Sequence, residues 1–227
     1  FMIVGEWYSG IHDYDRARGY LSSYHKFYDH YDELYTPELV EASGGRRALE
    51  QIVRPYLEDR RFAFLLNRLM HINIKLKGGQ NILVKVDKML RAGGGVAVAS
   101  PLFDRALTEL SFRIPVTSKR RGDVEKWVFK KAIEDTLPHE VVYRKKEGMG
   151  VPLNHWFRRT ALHDYAHDLL LSQRSRTRGY FQQDFVTMLL EGRRAPSQFG
   201  RDRSGELLWM LVAIELWHRT YVDGDRP

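Results

Sequence analysis

The sequence predicts a mainly α-helical fold with few short strands. Apolar residues recur at intervals of three and four through several separate segments, the period of one helix face. Only 82–86 and 96–99 look strand-like, and both are short. Strand and helix patterns do not alternate along the chain, as a doubly wound sheet would require.

Around 46–70, Leu49, Ile52, Val53, Tyr56 and Leu57 form one stripe, and Phe62, Leu65, Leu66 and Leu69 form the next. Pro55 predicts a kink or a break between them, because proline lacks the N–H a helix interior needs. Gly93-Gly94-Gly95 predicts a turn between the two strand-like stretches. A helix over 124–137 carries Val128, Phe129, Ala132, Ile133 and Leu137, with Gly122-Asp123 at its start and Pro138 at its stop. Segment 160–172 aligns Leu162, Tyr165, Ala166, Leu169 and Leu170, and segment 183–191 aligns Phe185, Val186, Leu189 and Leu190. The last helix, about 204–222, opens at Ser204, and its run Leu207–Ile214 predicts burial on all sides.

The chain has 227 residues, 43% hydrophobic and 12% aromatic, enough to build a core and too rich in bulky groups for disorder. It has no cysteine, which excludes a disulfide framework, thiolate zinc sites and a cysteine nucleophile within this chain. That absence fits a reducing compartment, and the cytoplasm is the expected location. No run reaches the roughly 18 apolar residues that span a bilayer. The formal charge is +7, and basic and acidic residues balance over 1–80, so the whole excess lies in 81–227. Sign alone allows nucleic acid, anionic lipid or a polyphosphate.

Few constellations carry chemistry. His163 and His167 stand four apart, with Asp164 beside the first, a spacing that mimics a zinc-protease helix. The acid is the shorter aspartate and no third ligand stands near, so a surface helix is the expectation. No serine has nucleophile-elbow surroundings. Arg174, Arg176 and Arg178 are expected in one exposed loop, and Arg193, Arg194, Arg201 and Arg203 in another. Aromatic interleaving is thin there, which disfavours a nucleic-acid platform. The tract Arg144-Lys145-Lys146-Glu147-Gly148-Met149-Gly150 is different. Three cations precede two glycines whose backbone amides can approach a ligand closely, a combination suited to phosphate.

Read in order, the motifs resemble the C-terminal synthetase domain of the asparagine synthase family. Leu83-Val84-Lys85-Val86-Asp87-Lys88-Met89 is similar to its LxKxDRM segment, and Ser100-Pro101-Leu102-Phe103-Asp104 to its VPFLD turn. Phe112-Arg113-Ile114-Pro115 and the stretch from Lys126 to Pro138 follow in family order. Arg144 to Pro152 resembles R-x-K-x-G-x-G-V-P, with Trp156-Phe157 after it. Arg178-Gly179-Tyr180-Phe181, Leu207-Leu208-Trp209 and Glu215-Leu216-Trp217-His218 complete the tail. The resemblance is strong over 81–223 and loose over 1–80, and it reads the whole of 1–227 as the C-terminal part of one synthetase domain.

The resemblance implies the helical part of an adenine-nucleotide α-hydrolase-like (PP-loop ATP pyrophosphatase) α/β domain, working with ATP and Mg2+. Family members adenylate a carboxylate, aspartate or a related acid, with loss of pyrophosphate, and ammonia or an amine then attacks. A glutaminase domain upstream supplies the ammonia in asparagine synthetases, and a homodimer is compatible with the family. Lys146 aligns with the lysine that stabilises the leaving pyrophosphate, and Arg144, Gly148 and Gly150 frame the ATP and pyrophosphate loop around it.

The departures from the family are specific. The SGGxDS loop is absent, and with Phe1 at the start the chain reads as a fragment. The segment Met2–Glu6 resembles the strand before GxGxDE, but the acidic pair is missing, which leaves Glu6 as the candidate metal ligand, with Asp13 and Asp15 nearby. Ala97 and Ala99 stand where the family has its glutamate and arginine. The alternatives to an enzyme are a degenerate homologue serving as a helical interaction module, and a basic nucleic-acid-binding domain.

Overall fold

A computed structural model describes residues 15–145, 150–158, 160–196 and 200–225. Helix α1 (Arg16–Tyr24) starts at Asp15, whose carboxylate accepts from Ala17 N at 2.9 Å and caps the first turn. A 3-10 turn over Tyr28–His30 leads into α2 (Tyr31–Leu34). Thr36 caps α3 (Pro37–Ser43), with the proline at the first position, where its missing N–H costs nothing. Helix α4 (Gly45–Leu57) carries Pro55 in its last turn, and the predicted break falls after Leu57.

Helix α5 (Leu65–Ile72) passes without interruption through a π-helical stretch (Asn73–Leu83) into α6 (Val84–Gly94). This corrects the strand expected over 82–86. Val84 and Val86 alternate as a strand would, yet each is 40% exposed and neither has a partner strand to bury them, so the continuing helix wins. Residues 96–99 are irregular, and the turn at Gly93-Gly94-Gly95 reduces to Gly95, whose φ of 65° ends α6.

Asp104 caps α7 (Arg105–Arg113), accepting from Leu107 N at 3.1 Å. Helix α8 (Val116–Lys119) precedes a hairpin in which β1 (Arg120–Arg121) pairs antiparallel with β2 (Val124–Glu125). The helix expected over 124–137 therefore shortens to α9 (Trp127–Ile133), because Val124 and Glu125 spend their backbone on the hairpin. Helix α10 (His139–Val142) follows Pro138. After it come α11 (Leu153–Trp156), α12 (Ala161–Leu170), α13 (Gln173–Thr177), α14 (Gln183–Leu190) and α15 (Ser204–Tyr221). Arg174 and Arg176 thus lie on a short helix rather than a loop, since the Ser172 hydroxyl accepts from Ser175 N and caps it.

The described residues divide into two compact units, one of residues 53–145 and the other of residues 15–52, 150–158, 160–196 and 200–225. In the second, Phe27, Leu34, Leu169, Phe185, Val186, Leu189, Leu207 and Leu211 form the buried core. Helix α15 lies against α11, α12 and α14. It buries one stripe, Leu207, Leu208, Leu211, Val212 and Glu215, whereas Trp209 remains 48% exposed, so the prediction of burial on all sides is corrected. A Cβ at Gly205 would stand 2.4 Å from Asn154 N, so only glycine permits this approach of α15 to α11.

In the first unit the buried apolar residues include Val53, Leu57, Ile72 and Val142. Tyr56, Phe62 and Phe112 gather around the His71 ring at centroid distances of 5.2–6.5 Å, and Phe62 and Phe112 also meet at 5.2 Å. Gly78 lies under the Phe103 ring, where a Cβ would come within 2.7 Å of it.

Candidate functional site

The basic tract begins where α10 ends. Proline at 138 forces the chain into the single turn of α10, whose last carbonyl bonds are closed by Tyr143 N donating to His139 O at 2.9 Å. Val142 is buried, so Tyr143 and Arg144 emerge from an anchored turn.

Tyr143 is held on three sides. Its hydroxyl donates to Glu134 Oε2 at 2.7 Å, just beyond the C-terminus of α9. The Lys130 ammonium sits 5.4 Å from the ring centroid, and the His139 ring lies 4.7 Å away at 31°. Glu134 is also paired with Lys131. That hydrogen bond from Lys131, followed by the one from Tyr143, holds the Glu134 carboxyl below its usual range, and the same bond to Glu134 pushes the Tyr143 phenol up.

Arg144 and Lys145 follow directly and are exposed. Lys146 and Gly148 lie outside the described residues, as does Glu6. Gly150 is described and belongs to the other unit. It is exposed, and a Cβ there would meet nothing within 4 Å, so its own surroundings leave room for a ligand to approach.

Two exposed cations on an anchored turn suit a polyphosphate such as that of ATP. A magnesium site fits less well: among the described residues no three metal-ligating side chains converge, and Asp15 caps α1. Ala97 and Ala99 are exposed on irregular backbone. Lys126, at the entrance to α9, has φ 55°, a left-handed conformation that is strained for a residue with a Cβ.

Among the described residues, no third metal-ligating side chain joins His163 and His167. His163 Nε2 donates to Leu190 O at 3.0 Å, and its Nδ1 lies 3.1 Å from Asp164, whose hydrogen bond raises the imidazole above its usual range. In the second unit a cleft of about 470 Å³ is lined by Arg174, Arg178, Tyr180, His218 and Asp223, among others. Its two arginines are engaged: Arg178 by Glu215 and Asp223, Arg174 by Asp223 and Asp225.

The motif residues thus divide between frame and exposed surface. Asp87 pairs with Arg91 at 2.6 Å, Asp104 caps α7, and Arg178 pairs with Glu215 at 2.6 Å. The sequence profile of the family described as asparagine synthase matches residues 13–219. The chain belongs to the asparagine synthase family. Asparagine synthetase [glutamine-hydrolyzing] 1 of Bacillus subtilis (strain 168) is 24% identical over 193 residues, 85% of this chain and 29% of the relative. Asparagine synthetase [glutamine-hydrolyzing] 3 of the same organism is 34% identical over 87 residues, 38% of this chain and 13% of the relative. The chain therefore spans less than a third of the length of these curated family members. No solved structure matches it significantly.

Sequence reasoning found the basic tract and missed its anchor. Glu134 and Tyr143 lie nine residues apart, a separation that no helix or strand period marks. Their juxtaposition depends on the turn at Pro138.

Proposed function

We propose that this chain is part of an ATP-dependent synthetase that joins a carboxylate to a nitrogen nucleophile. The carboxylate, aspartate or a related acid, attacks the α-phosphorus of ATP. A carboxylate oxygen–phosphorus bond forms and pyrophosphate leaves. Ammonia or an amine then attacks the acyl carbon, and AMP departs with the oxygen that bridged it. A glutaminase domain elsewhere in the protein is the proposed source of ammonia, and the cytoplasm the proposed compartment.

The observation that carries this reading is the family match over residues 13–219, which takes in the Arg144 to Gly150 tract. The tract's work is electrostatic. Negative charge grows on pyrophosphate as it leaves, and cations already in place stabilise that charge without reorganising. Arg144 and Lys145 are exposed for this contact, and Lys146 is the proposed catalytic cation. Arg144, Lys146, Gly148 and Gly150 are the proposed pyrophosphate-binding positions. Magnesium is a proposed companion of ATP, with Glu6 as the candidate ligand. The fold that accompanies this reading is the helical part of a PP-loop ATP pyrophosphatase domain.

No described helix is long and apolar enough to cross a membrane. A second reading, a homologue that keeps the scaffold without the chemistry, draws on Ala97 and Ala99, which replace the family's glutamate and arginine. Substrate-dependent ATP–pyrophosphate exchange by the full-length protein separates the two. Exchange that falls at least ~100-fold in Lys146→Ala is the expected result, from loss of a transition-state contact. No exchange with aspartate or any related acid would overturn the enzyme reading.

A further inference from the structure

The three contacts on Tyr143 differ in kind, and together they leave its ring little freedom. Glu134 fixes the hydroxyl, His139 covers the ring, and Lys130 places an ammonium against the π-face. The residue held this way immediately precedes the two exposed cations of the tract. A hydrogen bond at the tip of a long side chain orients the whole ring, and the ring's attachment orients the backbone that carries Arg144. The frame on the far side is sound, because Val142 is buried and its N–H donates to Pro138 O at 3.1 Å.

We propose that Tyr143 is a positioning residue: anchored by Glu134, it fixes the direction in which Arg144 and Lys145 are presented to an anionic ligand. This deepens the pyrophosphate reading of the same tract and rests on it. Preorganisation is the physical reason for such an anchor. A cation on a freely rotating backbone must be ordered as the leaving group charges, whereas one already ordered makes its full contribution at that moment. Glu134 completes the arrangement from the other side, because its pairing with Lys131 keeps it an anion and therefore a strong acceptor for the Tyr143 hydroxyl.

Two measurements on the full-length protein test this. The first is amide hydrogen exchange across 142–145, which needs no activity. Tyr143→Phe and Glu134→Ala should each speed exchange there about tenfold, the scale of one hydrogen bond, with the rest of the chain unchanged. Glu134→Gln keeps an acceptor oxygen and should restore slow exchange. The second is ATP–pyrophosphate exchange, in which Tyr143→Phe should lower kcat about tenfold and leave KM for ATP nearly unchanged. The Tyr143→Phe and Glu134→Ala effects should also fail to add in the double variant, as for two ends of one contact. Unaltered amide exchange in Tyr143→Phe, or equal loss in Glu134→Gln and Glu134→Ala, overturns the positioning role. If amide exchange responds as expected but the unsubstituted protein shows no pyrophosphate exchange, the anchor stands and the functional reading falls.

Discussion

Arg178 Nε donates to Glu215 Oε2 at 2.6 Å, and the two side chains are only 12% and 4% exposed. The same guanidinium reaches Asp223 through Nη2 at 2.6 Å, and Arg219 donates to Glu215 Oε1 at 2.8 Å. One arginine at the end of α13 thereby ties together the last turns of α15 and the segment that follows it. Glu215 lies on the buried face of α15, and it is tolerated there because two guanidiniums satisfy its oxygens.

Removing Arg178 leaves that buried carboxylate with half its partners. Arg178→Ala should destabilise the fold by about 3 kcal/mol, the usual cost of breaking one side of a buried ion pair. Urea unfolding monitored by tryptophan fluorescence measures it. A loss within the scatter of surface substitutions would show that Arg219 alone suffices for Glu215.

Acid should reveal the same cluster. Burial pushes the Glu215 carboxyl up, but hydrogen bonds from Arg178 and Arg219 outweigh it and the net shift is downward; Asp223 is lowered chiefly by its bond to Arg178. Carboxylates lowered in the folded state contribute stability that is complete above their unfolded pKa, roughly pH 4, and is lost as pH falls through the lower folded value. Stability should therefore hold down to about pH 4 and decline below it. In Arg178→Ala the loss between neutral pH and acid should be smaller, because Glu215 and Asp223 lose the partner that lowers them, and unfolding midpoints collected along a pH series would show it.

The glycines at 205 and 150 should respond oppositely to alanine. Gly205→Ala drives a methyl into the backbone of Leu153 and Asn154 and should cost about 3 kcal/mol, the upper range for overpacking. Gly150→Ala meets open space and should change folding stability by less than ~0.5 kcal/mol. A drop in pyrophosphate exchange in Gly150→Ala with an unchanged melting temperature is the expected signature of a position kept small for a ligand.

Lys126 offers a gain. A left-handed backbone costs a residue with a Cβ about 1 kcal/mol, and glycine escapes that cost. Lys126→Gly should therefore raise unfolding stability by up to that amount, whereas Lys126→Val should lower it. A destabilised Lys126→Gly would mean that its side chain contributes contacts outweighing the strain.

Much of the helical architecture was written in periodicity. The stripes of α12 and α14 are readable because a helix that buries one face must repeat its apolar residues every three or four positions. The basic tract was legible through its place among the ordered family motifs, since basic loops bearing glycines are common by themselves. Residues 82–86 show where this fails: two exposed valines two apart satisfy a strand pattern, and only the uninterrupted backbone from α5 through the π-helical stretch into α6 decides for helix. Lys126, Glu134, Tyr143 and Arg178 belong to the same class. Their roles arise from a strained dihedral at Lys126, from a pair that meets across the turn at Pro138 and from a pair 37 residues apart, and such features follow from the path of the chain rather than from any local repeat.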